Sequence, residues 1–184
     1  MQGSFMKVIA EFLYYPLQWT WGIIQNIVGA VICLVHAKKP HYRYGKSWVT
    51  EWNRDDNMAM GMFIFLSEKL KGDIDDEESD RSQVAVHEYG HTFQSMFLGP
   101  FFLPVICMVS GIWCNLGAFE KMRRTNKISY YKLYTERWAN HLGRKITKRT
   151  PHGYWETHSK SAIAGTEARD FRRDREKEGA EGSE

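Results

Sequence analysis

At 184 residues the chain has room for one domain with a buried core and none for a second catalytic domain. Its 25 Lys and Arg against 22 Asp and Glu leave a formal charge of +3, too small to argue for nucleic acid, and the cations are not interleaved with aromatics in a base-stacking pattern. The mean hydropathy of −0.49 hides two apolar blocks, 12–35 and 98–119, set against a very polar C-terminal stretch.

The first block, 12–35, runs for about 24 residues, roughly what a helix needs to cross a bilayer. Pro16, Gln18, Gln25 and Asn26 interrupt it. A signal peptide has a shorter apolar core of roughly 7 to 15 residues, although Val35-His36-Ala37 loosely fits the small-residue cleavage rule. An uncleaved anchor, spanning or lying in the interface, is therefore expected, with a buried core helix as the alternative. Cys33, Cys107 and Cys114 form no Cys-x-x-Cys pair and lie in apolar stretches, so they read as reduced and structural.

After the basic residues Lys38, Lys39, Arg43 and Lys46, the run 58–66 (MAMGMFIFL) predicts a short strand. The acidic stretch 67–81 follows as a surface loop; its cluster Asp73, Asp75, Asp76, Glu77, Glu78 and Asp80 lacks the ligand and glycine spacing of a calcium-binding EF-hand. Ser82 precedes a predicted helix over 83–98, which Gly99-Pro100 stops. The second apolar block contains Pro104, Gly111 and Gly117, so any helix over 100–119 is kinked or broken. Another helix is predicted over 130–142, stopped by Gly143. The stretch 144–184 is poor in apolar residues and ends in mixed charge, the composition of a disordered tail.

The chemistry concentrates in the 83–98 helix. His87-Glu88-Tyr89-Gly90-His91 puts two imidazoles one turn apart on one helix face, the separation that lets them bind one metal together. Glu88, beside them, can take a proton from a water that the metal acidifies. Catalytic zinc usually takes three protein ligands and keeps a fourth position for water, so a third must come from elsewhere. Glu136 is the candidate: Ala139 and Gly143 share its helix face and let the second helix come close enough for a short carboxylate to reach the metal. Asn140, one turn after Glu136, can accept a hydrogen bond from the outer ring nitrogen of a ligand histidine. Tyr131, Tyr134 and His141 are candidates for stabilising an oxyanion. His36, His41, His152 and His158 show no comparable spacing and default to surface or local hydrogen-bonding roles. A lone His-Glu-x-x-His also arises by chance; the downstream Glu-x-x-Ala-Asn on a separate helix raises this one above that level.

At these residues the chain resembles the gluzincin metallopeptidases, whose pattern is His-Glu-x-x-His followed by a helix bearing a glutamate ligand, often as Glu-x-x-Ala-Asp. It also looks like small, largely uncharacterised bacterial membrane proteins, over 61–66 (GMFIFL), 87–104 (HEYGHTFQSMFLGPFFLP) and 134–143 (YTERWANHLG). The resemblance implies a zincin-like core in which a strand precedes the first ligand helix, with Zn2+ held by His87, His91 and Glu136 and Glu88 as general base. The departure is Asn140 in place of aspartate: an amide still accepts a hydrogen bond but brings no charge.

One metal shared by His87, His91 and Glu136 prevents the intervening apolar block from simply crossing a bilayer, so 100–119 is expected to be re-entrant, in-plane or packed within the protein. The basic residues after the first block and Lys121, Arg123, Arg124 and Lys127 after the second belong, by the positive-inside rule, on the cytoplasmic face. The expected architecture is mainly α with a short β element (α+β): a zincin-like core of two metal-binding helices plus apolar membrane-associated helices, in one domain over 1–143 with the tail 144–184. The expected function is a zinc metallopeptidase at the cytoplasmic face of a bacterial membrane, with the lipid bilayer and a peptide or protein substrate as partners and no nucleic acid. The alternatives are a catalytically degenerate, zinc-stapled binding or scaffold protein, and a zinc hydrolase of a non-peptide membrane substrate.

Overall fold

The computed structural model describes residues 12–154. The fold is mixed α and β, with a four-stranded sheet ordered β1-β2-β4-β3. Strand β1 (His41–Tyr44) and β2 (Ser47–Trp52) form a hairpin through Gly45 and Lys46. Gly45 takes φ +55, and a Cβ there would also strike the Tyr89 phenol, so both conformation and space require glycine. Strand β3 (Met58–Met60) turns back through Gly61, at φ +63, into β4 (Phe63–Ser67), which then runs parallel to β2.

Two differences from the sequence reading follow. The single strand predicted over 58–66 is a hairpin of two, because Gly61 sits in the left-handed region and reverses the chain. The sequence does not announce the β1–β2 hairpin, because Arg43 and Lys46 break its short apolar alternation. Strand β4 is the buried centre of the sheet, with Ile64, Phe65 and Leu66 fully enclosed.

Helix α1 covers Phe12–Trp19 and α2 Ile23–Val35, meeting at a bend of 86°. Helix α3 (Asp80–Leu98) is capped by the Ser79 hydroxyl, which accepts from the Ser82 amide at 3.1 Å; it therefore begins a turn earlier than Ser82 suggested. It is buried along most of its length, because the sheet, α1 and a later helix enclose it on separate sides. Tyr14, Val49, Ile64, Leu66, Tyr89 and Phe93 belong to the core that joins these layers.

After α3 the chain passes through a 3₁₀ turn (Gly99–Phe101) and a π-type segment (Leu103–Cys107) into α4 (Met108–Asn115), bent by 116° from α3. Helix α5 (Gly117–Asn126) and a 3₁₀ turn (Tyr130–Lys132) lead to α6 (Tyr134–Thr147). Block 100–119 is thus broken, as Pro104 implied. Among the described residues no single helix is long and apolar enough to cross a membrane.

Gly143 does not stop α6. It is buried inside the helix, where a Cβ would strike the Val86 carbonyl, so its smallness serves close packing and the helix ends instead at Lys148, φ +66. Residues 144–154 also belong to the fold rather than to a tail. The His152 amide donates to the Gln83 carbonyl at 2.9 Å, and Arg144 lies over the Tyr154 ring at 4.4 Å. The remainder of the expected tail, 155–184, lies outside the described residues.

Candidate metal centre

A buried helix is normally apolar on every side, yet α3 encloses His87, Glu88, His91, Thr92, Gln94 and Ser95. Burying so many polar groups costs stability unless each has a partner. Helix α6 supplies partners for His87, His91 and Gln94, while Thr92 and Ser95 are met by Gln18, Gln25 and Ser47.

Helices α3 and α6 approach closely because glycine and alanine line their contact. A Cβ on Gly90 would run into the Ala139 carbonyl, just as one on Gly143 would meet Val86. This proximity brings Glu136, 1 % exposed, to the two histidines. His87 Nε2 lies 3.1 Å from Glu136 Oε2, His91 Nε2 lies 3.4 Å from the same oxygen, and the two Nε2 atoms are 3.2 Å apart. A tetrahedral ion with bonds of ~2.0–2.1 Å separates its ligand atoms by roughly 3.3–3.4 Å, so this triangle is the right size to hold one.

The donor set fits a cation for a second reason. His87 Nδ1 meets Asn140 Oδ1 at 2.7 Å, and the Asn140 amide nitrogen donates to the His152 carbonyl at 3.2 Å. His91 Nδ1 meets Gln94 Oε1 at 2.7 Å, and the Gln94 nitrogen donates to the Thr135 carbonyl at 2.7 Å. Backbone carbonyls thereby orient each amide with its oxygen towards the ring, so each Nδ1 must donate and each neutral ring turns a lone pair at Nε2 inward. Two lone pairs and a carboxylate oxygen then converge on one point. A single proton leaves a lone pair facing the others, whereas a metal ion accepts all three.

The carboxylate is held from behind. Ser110, on α4, donates to Glu136 Oε1 at 2.5 Å, so Oε2 alone faces the histidines. Burial by itself would raise the Glu136 pKa, but the His91 and His87 imidazoles outweigh it and hold the carboxyl below the usual range. Among the described residues this group of His87, His91 and Glu136 can hold a metal ion; it contains no cysteine.

Glu88 is 5 % exposed, and its Oε2 has no hydrogen-bond partner. Burial raises its pKa from 4.5 to about 7, and the neighbouring Glu136 carboxylate adds to the shift. An unpartnered buried carboxylate oxygen is unusual, and here it belongs to the residue beside a ligand.

The other predicted residues separate. Tyr131 packs edge-on to His87 with ring centroids 5.2 Å apart, so it borders the centre. Tyr134 does not: it is 56 % exposed and its hydroxyl donates to the Val105 carbonyl at 3.2 Å. His141 is exposed too, in an open groove with Tyr134, Arg137 and Arg144 on the outer side of α6. Three contributors were missed. Gln94 had a signal, three residues after His91 on the same helix. Ser110 had none, since only the bend after α3 brings α4 to Glu136. Tyr130, one residue before Tyr131, is the third: burial, then the negative charges of Glu136 and Glu88, push its phenol up.

The chain matches no protein-family model, no curated protein and no solved structure. The reading of this centre therefore rests on its own geometry.

Proposed function

We propose that this protein is a membrane-associated, zinc-dependent peptidase whose centre is built on a zincin-like pair of helices. The observation that carries the reading is the buried, unpartnered Glu88 Oε2 next to three convergent ligand atoms. A purely structural zinc site is closed by four protein ligands; three ligands and an adjacent carboxylate are the composition of a catalytic one. Two neutral imidazoles and one carboxylate are a ligand set of catalytic zinc; the same donors suit ferrous iron, which elemental analysis distinguishes.

Bound zinc would supply a Lewis acid that polarises a water and the scissile carbonyl. His87, His91 and Glu136 would hold it, with Asn140 and Gln94 keeping both rings in the tautomer that presents Nε2. Glu88 would take the proton of the attacking water and pass it to the departing amine. The phenols of Tyr130, raised by burial and by the carboxylate charges, and of Tyr131, packed against His87, would be the available donors to a developing oxyanion.

The test is Glu88→Gln, with metal content by elemental analysis and hydrolysis of a mixed peptide library followed by mass spectrometry. Zinc bound one to one with cleavage lost supports the reading; unchanged cleavage removes Glu88 from its role. One observation favours a second reading, a zinc staple joining α3 to α6: His87, His91 and Glu136 are each no more than 8 % exposed. A staple predicts that parent and Glu88→Gln proteins both bind zinc and both leave every peptide intact.

A further inference from the structure

Helices α1 and α2 are built inside out for a protein in water. Their polar residues point inward: Gln18 donates to the Thr92 carbonyl at 2.7 Å, Gln25 to the Gly99 carbonyl at 2.9 Å, and Asn26 accepts from the Met62 amide at 2.9 Å. All three are fully buried, while Ile24, Ile27, Val31, Leu34 and Val35 are 51–75 % exposed. The interruptions in the apolar block are thus the bonds that dock it, and its apolar residues are the outer surface. An apolar face of this extent marks contact with lipid or another molecule.

The two bends in the chain are packed together. Trp21, in the bend between α1 and α2, lies 6.4 Å from the Phe101 ring, and its indole nitrogen donates to the Phe97 carbonyl at 3.4 Å. Trp19, Trp21, Phe97 and Phe101, each 45–59 % exposed, form one aromatic apex. Helix α4 continues the apolar surface with Met108, Ile112 and Leu116. Exposed Lys38 closes the α2 side, and exposed Lys121, Lys127 and Lys132 follow α4.

We infer that the paired bends form a monotopic insertion surface, which enters one leaflet of an anionic bilayer without crossing it. This rests on the membrane association proposed above, and not on catalysis. Geometry argues against a crossing: the 13 residues of α2 reach about 20 Å against a hydrocarbon core of ~30 Å, and the 86° bend turns α1 away from that line instead of extending it. Aromatic residues suit the headgroup boundary, and lysines at the rim match anionic headgroups, which a second copy of the same cationic surface would not.

The full-length protein is floated with vesicles of phosphatidylcholine, with and without phosphatidylglycerol. Flotation should require the anionic lipid, weaken in high salt, and be lost in an Ile27→Asp, Val31→Asp double variant. Retained metal content shows that this variant is folded, since both positions are exposed. Sidedness is read in membranes of the expression host, on a background without Cys33, Cys107 and Cys114, by an impermeant maleimide at single cysteines replacing Gln2, Lys39, Asp76 and Lys127. All four should label from one side. Flotation with Gln2 and Lys39 sites labelled from opposite sides would preserve membrane association and overturn the monotopic assignment. Equal flotation on neutral vesicles would overturn the anionic preference. A protein that floats with neither lipid and forms a stable dimer would remove both readings and give the face to a second copy.

Discussion

Glu88 is the residue at which catalysis and stapling part, and its burial has a cost that can be measured. With the metal removed, its pKa rises from 4.5 unfolded to about 7 folded. A raised carboxyl pKa means that the folded protein keeps a proton which the unfolded chain releases. Stability is therefore lost as pH climbs from about 4.5 through 7, by up to roughly 3 kcal/mol, and stays lost above. Glu88→Gln removes that loss. The metal-free variant should melt higher than the metal-free parent at pH 8 and equally at pH 4.5; equal melting at both values would contradict the buried, unpartnered state. Asn140 and Gln94 act one step further out. Asn140→Ala or Gln94→Ala frees an imidazole to rotate or change tautomer, so zinc affinity in a competition titration should fall about 10- to 100-fold.

Between elements, the decisive contact is α3 against α6. Gly90 and Gly143 let the helix backbones approach until Glu136 reaches the histidines. Gly90→Ala should force the helices apart, destabilise the fold by about 1–3 kcal/mol in chemical denaturation, and reduce zinc binding together with it. A change in stability with undiminished zinc affinity would mean that the site tolerates separation. The strand region teaches a different lesson. The apolar run 58–66 is divided by Gly61 into two antiparallel strands, and the partner hairpin lies in a stretch where Arg43 and Lys46 obscure the alternation of Tyr42 and Tyr44. Period-two patterns of four residues are too short to stand out against charge.

For the whole molecule, a metal bound at this centre would tie together two helices whose meeting pairs, His91 with Glu136 and His87 with Glu136, lie 45 residues or more apart in the chain. Binding to the folded state alone should add about 4 kcal/mol when free zinc exceeds its dissociation constant a thousandfold. A chelator should accordingly lower the melting temperature by roughly 8–16 °C at the 2–4 °C per kcal/mol typical of this size, and zinc should restore it. His87→Ala and Glu136→Ala should abolish that response, leaving the variants insensitive to chelator.

The sequence by itself determined the helix that carries His87, Glu88 and His91 and their common face, because these residues lie within about one turn and helical periodicity is local physics. It also singled out Glu136 and Asn140, since small residues on one helix face advertise a close neighbour. Only the tertiary structure decided what the polar residues of the first apolar block are for. Gln18, Gln25 and Asn26 look like faults in an anchor until Thr92, Gly99 and Met62 arrive as partners from 36 or more residues away. Ser110 became part of the centre in the same way. A hydrogen bond between distant residues leaves no periodic trace in either segment, so folding alone could bring them into view.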